Sequence, residues 1–285
     1  MLVSVPASSA NLGPGFDTLA VALPKRLKAS VEQSSSFELI IQNEGADKKF
    51  TQEELEDHIV AKVLKKIHGH SRFRVNVDSN IPLARGLGSS AALILAVAAA
   101  SGVEKPLDLA AEIEGHADNV TAAFNGGLVS VLFKNNKVIF VELPLDPRLE
   151  FILVIPEFEL STESARQVLP DTYLRRTLSE SLGHFGLMVA GLGDIDKFNR
   201  EAFVDLIHQP YRTKIYPESE EIIELMIKSG AIGAVWSGAG SSIIGFCNAN
   251  SKIVCDRFKK LTEGLEYDYT AESLTPDKEG LKVIE

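Results

Sequence analysis

Residues 82–92, Pro-Leu-Ala-Arg-Gly-Leu-Gly-Ser-Ser-Ala-Ala, limit what this chain can become. Before them, Arg72–Asp78 alternates Phe73, Val75 and Val77 with polar residues, the period of a half-buried strand. After them, Ala91–Ala100 is almost wholly apolar and too long for a typical strand, which predicts a buried helix. Gly86 and Gly88 let the backbone approach a ligand where a Cβ would collide. Ser89 and Ser90 are expected to cap the helix, whose first N–H groups have no intrahelical partner. Those N–H groups and the positive end of the helix dipole favour an anion. The stretch therefore reads as a phosphate cradle.

Several phosphate loops share this logic. A Walker loop needs a lysine after its second glycine, and none follows here. Gly86-x-Gly88-x-x-Ala91 satisfies the dinucleotide fingerprint, but that fold wants another strand ending in an acid about 20 residues on. Residues 101–106 instead form a turn, and a second helix follows, so a dinucleotide oxidoreductase ranks low. A glycine-serine helix start with no ligand is the plain alternative.

With 285 residues, the chain can bury a large core and is long enough for two domains. Its net charge of −10 argues against a nucleic-acid partner but not against an anionic cofactor, since a local cluster or Mg²⁺ can supply positive charge. Two cysteines, Cys247 and Cys255, make neither a disulfide framework nor a zinc cluster, and both are expected as buried thiols in a reducing cytoplasm. No secretory leader is indicated at the start, and the longest apolar run is too short to span a bilayer.

In order, Met1–Val5 predicts a strand running into a polar loop, Ala7–Asp17, that carries Asn11 and Asp17 around Gly13-Pro14-Gly15. Leu27–Glu32 and Phe37–Gln42 read as strands, and a capping box at Thr51-x-x-Glu54 opens an amphipathic helix to about His68. Leu107–Gly115 is helical behind Pro106. Glu112, Glu114, His116, Asp118 and Asn119 then crowd five polar groups together, either a solvated helix end or the carboxylate that Mg²⁺ beside phosphate requires. Leu128–Phe133 and Val138–Leu143 form a hairpin. A domain boundary is placed at Pro144–Arg148, dividing residues 1–146 from 147–285. Beyond it come a strand at Phe151–Ile155, a helix start at Ser161–Arg166, helices at Tyr173–Leu192, Lys197–His208 and Glu218–Ser229, and a loop at Pro210–Pro217 carrying Arg212. Ala231–Trp236 and Ile243–Phe246 read as strands around a second glycine-rich turn, Ser237–Ser242. Lys252–Leu261 is helical, and Tyr267–Ser273 and Leu281–Ile284 close the chain as strands. His184 and His208 read as packed or surface histidines.

Three glycine-bearing stretches, Ala10–Asp17, Pro82–Ala92 and Gly233–Ser242, resemble in sequence and order the small-molecule kinases named for galactokinase, homoserine kinase, mevalonate kinase and phosphomevalonate kinase. Asn11–Asp17, Glu114–Val120, Ser161–Pro170 and Pro210-Tyr-Arg212 are similar to the homoserine kinases in particular. The resemblance implies an α+β fold, with an N-terminal domain like the second domain of ribosomal protein S5 and a ferredoxin-like C-terminal domain. It implies transfer of the ATP γ-phosphoryl group to the hydroxyl of L-homoserine, in threonine biosynthesis. On that resemblance Pro82, Leu83, Ala84, Arg85, Gly86, Leu87, Gly88, Ser89, Ser90, Ala91 and Ala92 hold the ATP phosphates. Ser90 and Glu114 hold Mg²⁺, with Glu112 a rival, and Asp118 is the catalytic residue. Asn11, Asp17, His116, Asp118, Asn119, Thr162, Arg166, Arg212 and Gly240 surround the amino acid. The third stretch departs from the usual Ser-Gly-Ser-Gly-Pro-Ser, reading Ser-Gly-Ala-Gly-Ser-Ser and losing one hydroxyl. The alternatives are a mevalonate, shikimate or sugar kinase, or a non-catalytic sensor on the same scaffold. A homodimer is left open.

Overall fold

The computed structural model describes residues 1–43, 46–48, 52–265 and 268–284. The capping box expected to open at Thr51 and the strand start expected at Tyr267 lie outside the described residues. The first sheet begins with β1 (Leu2–Asn11) and β2 (Gly15–Gln33), antiparallel through the turn at 12–14. The polar loop expected at Ala7–Asn11 is therefore strand. Its Ala7-Ser8-Ser9-Ala10 run lacks alternation because both faces are buried, and only small side chains fit there. β3 (Glu38–Asn43), β4 (Ala46–Lys48) and β5 (Phe73–Ser79) extend the sheet, with β3 parallel to β5.

The helix expected from Thr51 to His68 is broken into α1 (Gln52–Asp57) and α2 (Ile59–His68). His58 causes the break: its ring Nδ1 accepts from Val60 N at 3.2 Å and caps the second piece. α3 (Ser89–Ala100) is apolar all round and lies buried on β1 and β2, while α4 (Pro106–Glu114) and α5 (Asp118–Asn125) flank it. The expected hairpin is present as β6 (Leu128–Lys134) and β7 (Lys137–Leu143), turning through Asn135 and Asn136 at positive φ.

The second sheet has the order β11-β8-β10-β9 and is antiparallel throughout. Its strands are β8 (Leu149–Pro156), β9 (Gly233–Trp236), β10 (Ile243–Asn248) and β11 (Tyr269–Leu274). That order with a helix in each crossover is the ferredoxin-like arrangement expected. Ile152 and Val154 of β8 pack into the core of this sheet and its helices, whereas Phe151, Leu153 and Ile155 join the core of the first sheet. Burial on both faces explains the unbroken apolar run.

The crossover from β8 holds α6 (Thr162–Gln167), α7 (Arg175–Gly193), α8 (Gln209–Arg212) and α9 (Glu218–Ser229). α10 (Ser251–Leu261) connects β10 to β11. The helix expected at Lys197–His208 is absent: two short 3₁₀ turns, Ile195–Lys197 and Arg200–Phe203, stand in its place. Phe198 and Phe203 stack at 5.0 Å and both meet Phe246 edge-on, so aromatic packing fixes an irregular path. Asp205 then accepts from the N–H groups of Ile207, His208 and Gln209 and starts α8, so Arg212 sits on a short helix instead of in the expected loop.

Among the described residues no strand pairing joins the two sheets, and we propose the boundary near Pro144–Arg148 on that ground. The chain nevertheless returns to its first sheet, where β12 (Lys282–Val283) pairs with β1. Arg26 on β2 secures this strap through Asp277, Ser4 and the Gly280 carbonyl. Arg26→Ala is expected to lower stability by about 2 kcal/mol, because it strips charge-assisted bonds from a largely buried carboxylate. The urea midpoint measures it.

Candidate active site

The N-cap of α3 is Gly88, at φ 66°, and neither serine caps the helix as expected. Ser89 and Ser90 are the first helical residues. The first intrahelical bond closes only at Ala92, whose N–H meets the Gly88 carbonyl at 2.9 Å, so the preceding N–H groups remain for a ligand. Residues 84–90 line a cavity of about 260 Å³. Pro82 and Leu83 lie outside that lining, and the side chains of Ala91 and Ala92 are buried, so Ala91 can face a ligand only through its backbone N–H.

The two glycines are irreplaceable for a steric reason. A Cβ on Gly86 would lie 2.1 Å from the Ser237 carbonyl oxygen, and one on Gly88 would lie 2.3 Å from Ser8 Oγ. The guanidinium of Arg85 is engaged elsewhere. It donates to the carbonyls of Pro156, Glu157 and Leu83, tying the loop to the second sheet.

Ser90 Oγ donates to Glu114 Oε2 at 2.8 Å, so the hydroxyl and carboxylate expected around Mg²⁺ stand together on the cleft wall. Glu112 is turned away and pairs with Lys66 at 2.9 Å, so of the two glutamates it is Glu114 that lines the cleft. Beside it, His116 Nδ1 lies 3.0 Å from Asp118 Oδ1, and the same oxygen accepts from Asn119 N at 2.8 Å. Asp118 is 2% exposed. Its burial opposes ionisation, yet the His116 bond and charge, the Asn119 N–H and Arg166 together hold its carboxyl below the usual range. Burial likewise opposes charge on His116, and Asp118 with Glu114 outweighs it, raising the imidazole. Each partner thus favours the charged form of the other. Asn119 spends its amide on Ser8, at 3.0 Å from Oγ, locking α5 to β1 beside the glycine loop.

Across the cleft stand two guanidinium groups. Arg166 on α6 forks onto Asp17, at 3.1 and 2.5 Å. Arg212 is 1% exposed, donating to the carbonyls of Ala165 and Gly238 and to His208 Nδ1. Among the described residues no carboxylate reaches it within ion-pair distance. Burial, with Arg166 adding repulsion, pushes it down to about 10. Phe16 lies beneath both, 5.5 and 5.6 Å from their guanidinium carbons.

Asn11 is held at φ 69°, its amide donating to the Gly238 carbonyl at 2.7 Å and accepting from Asp17 N at 3.0 Å. Thr162 lines the mouth. Gly240 does not join this wall. It packs behind it, against Trp236 and Gly86, and Gly238 and Ala239 line the cleft instead. Phe16 and Asp205 had no role in the sequence, and His208, expected as a packed or surface histidine, is packed beside this wall. The available signal was the spacing Asp205-x-x-His208-x-x-x-Arg212, a capping acid followed by two side chains on one helical face.

Residues 55–127 match the family described as GHMP kinases N terminal domain, and residues 178–261 match GHMP kinases C terminal. The homoserine kinase of Clostridium kluyveri is 32% identical, over 99% of this chain and 98% of its own length. That of Caldanaerobacter subterraneus subsp. tengcongensis is 37% identical, over 99% and 95%. The crystal structure of homoserine kinase from Cytophaga hutchinsonii superposes with a TM-score of 0.80 at 24% identity, covering 100% of this chain and 97% of that one, a likeness of fold. With 32–37% identity to such relatives along nearly its entire length, the chain belongs to the homoserine kinase family of GHMP kinases.

Proposed function

We propose that the protein transfers the γ-phosphoryl group of ATP to the side-chain hydroxyl of L-homoserine. One observation carries the reading. The cleft sets an anion cradle on one wall against a buried guanidinium, Arg212, that lacks a carboxylate of its own. Homoserine offers a carboxylate, an ammonium and a hydroxyl. Its carboxylate supplies what Arg212 lacks, and its ammonium finds the Asp17 carboxylate. Mevalonate, shikimate and sugars lack the ammonium, the carboxylate or both, and leave part of this wall unpaired.

Phosphoryl transfer asks for alignment and charge neutralisation more than for covalent chemistry. The N–H groups at the start of α3 hold phosphate oxygens. Ser90 and Glu114 fit Mg²⁺, a hard cation satisfied by one or two carboxylates plus substrate phosphates. When bound, that ion supplies charge neutralisation on the phosphates. Asp118 sits at the start of α5, beside the glycine loop, where the hydroxyl and the phosphate chain converge. His116 occupies Oδ1, and in this reading Oδ2 orients the hydroxyl and accepts its proton. The transfer is direct and in line, with no phospho-enzyme.

Arg212→Ala is expected to raise KM for homoserine about 10- to 100-fold and leave KM for ATP within a few-fold, the loss of a charge-assisted contact. Steady-state kinetics with each substrate varied measures both. Asp118→Asn should lower kcat by about a hundredfold or more; a fall under about tenfold removes Asp118 from the chemistry. In His116→Gln the compensating cation is gone and burial dominates, so the Asp118 carboxyl titrates higher. The acid limb of the kcat/KM profile should then move to higher pH. Glu114→Gln should raise the Mg²⁺ concentration needed for half-maximal activity by about tenfold or more, read from a metal titration at saturating ATP.

A further inference from the structure

Arg212 must hold its charge ready inside the protein, and three neutral acceptors fix its orientation: the Ala165 and Gly238 carbonyls and His208 Nδ1. Two of these are backbone. His208 is the side chain among them, fully buried, on the residue four before Arg212. An arginine can only donate, so His208 Nδ1, 3.0 Å from Arg212 Nη1, carries no proton. The proton is therefore on Nε2, which donates to the Gly13 carbonyl at 2.9 Å. Gly13 lies in the turn between β1 and β2, within the Asn11–Asp17 segment of the substrate wall. The imidazole also stacks on Phe16 at 5.5 Å, the ring under both guanidinium groups.

We propose that His208 is a positioning residue for substrate recognition: as the neutral Nε2–H tautomer it aims Arg212 at the substrate carboxylate and links that aim to the Gly13 turn. The role rests on the functional reading above. The charged groups facing the ring are Asp205 from the preceding turn, with Oδ2 3.4 Å from Nε2, Arg212 from α8, and Asp17 from β2. Burial, opposed by Asp205 and reinforced by Arg212, drives the imidazole down to about 4, so it stays neutral through the working range. A proton on Nδ1 would set two donors against each other and remove the acceptor.

The test separates the two ring nitrogens. His208→Gln keeps a donor for Gly13 but offers no acceptor at the Nδ1 position; His208→Asn places its amide oxygen near Nδ1 and loses the Gly13 bond. Each is assayed with homoserine and with the amino alcohol in which CH₂OH replaces the carboxylate, alongside a thermal melt. The readout is the ratio of kcat/KM for the two substrates. A structural lesion lowers both values together, whereas a misaimed Arg212 lowers only the first. His208→Gln should cut the ratio about tenfold or more, mostly through KM for homoserine, and His208→Asn should recover most of it. An unchanged ratio in a folded His208→Gln overturns the proposal, as does a collapse of the ratio in His208→Asn. The second result decides alone if the glutamine variant does not fold. Absence of ADP release by the unsubstituted protein with homoserine sinks the functional reading itself, and the role of His208 with it.

Discussion

Backbone against backbone, Gly86 rests on the turn Ser237–Gly240 with no space for a methyl group between them. This seam joins the loop after β5 to the loop after β9, segments from the two separate sheets, and the site depends on it. Ser237 Oγ lies 2.8 Å from the Gly86 carbonyl, and Ser242 N donates to the Arg85 carbonyl at 3.2 Å. The seam sets where α3 begins and hence where an anion can lie. From the same turn, the Gly238 carbonyl accepts from both Asn11 and Arg212. One carbonyl thus fixes the Asn11 and Arg212 wall of the cleft relative to the glycine loop. Reacting atoms aligned to within an ångström need such a rigid reference, because misplacement costs rate steeply.

The charges in the cleft are arranged at some expense to stability. A buried arginine without a carboxylate in reach among the described residues and a buried aspartate held by an imidazole and a backbone N–H are each worse for folding than apolar residues of like size. Their environments tune them in opposite directions: Asp118 is kept ionised by donors, and Arg212 is left hungry for an anion. In the proposed function, a substrate carrying both an anion and a cation completes the arrangement, so that binding energy and specificity come from one set of contacts.

Much of this was legible from residue order. Pro106 at the start of α4, the Lys134–Lys137 hairpin turn and the helix at Glu218–Ser229 follow from local chemistry, and local rules found them. The glycine loop was legible because strand alternation, two glycines and a uniformly apolar helix occur within thirty residues. The failures have one cause, tertiary contact overriding local pattern. Ala7–Asn11 looks like a loop until β1 is seen buried on both faces. Lys197–His208 has helical composition, but its phenylalanines are claimed by Phe246. The bond of His208 to Gly13 had no signal along the chain, since the two lie 195 positions apart. Gly240 sat in a motif associated with substrate, and only packing shows it facing Trp236.

The strap that lays β12 beside β1 brings Leu2 and Ile284 into hydrogen-bonded contact at 2.8 Å. During synthesis the opening strand must wait for the closing one, with both sheets made in between. Until then β1 has an unpaired edge, open to mispairing with a neighbouring chain. Such end-to-end closure slows folding by its loop entropy. It also makes the molecule a natural candidate for circular permutation, in which the old ends are joined and new ones cut in an exposed hairpin turn such as Asn135–Asn136.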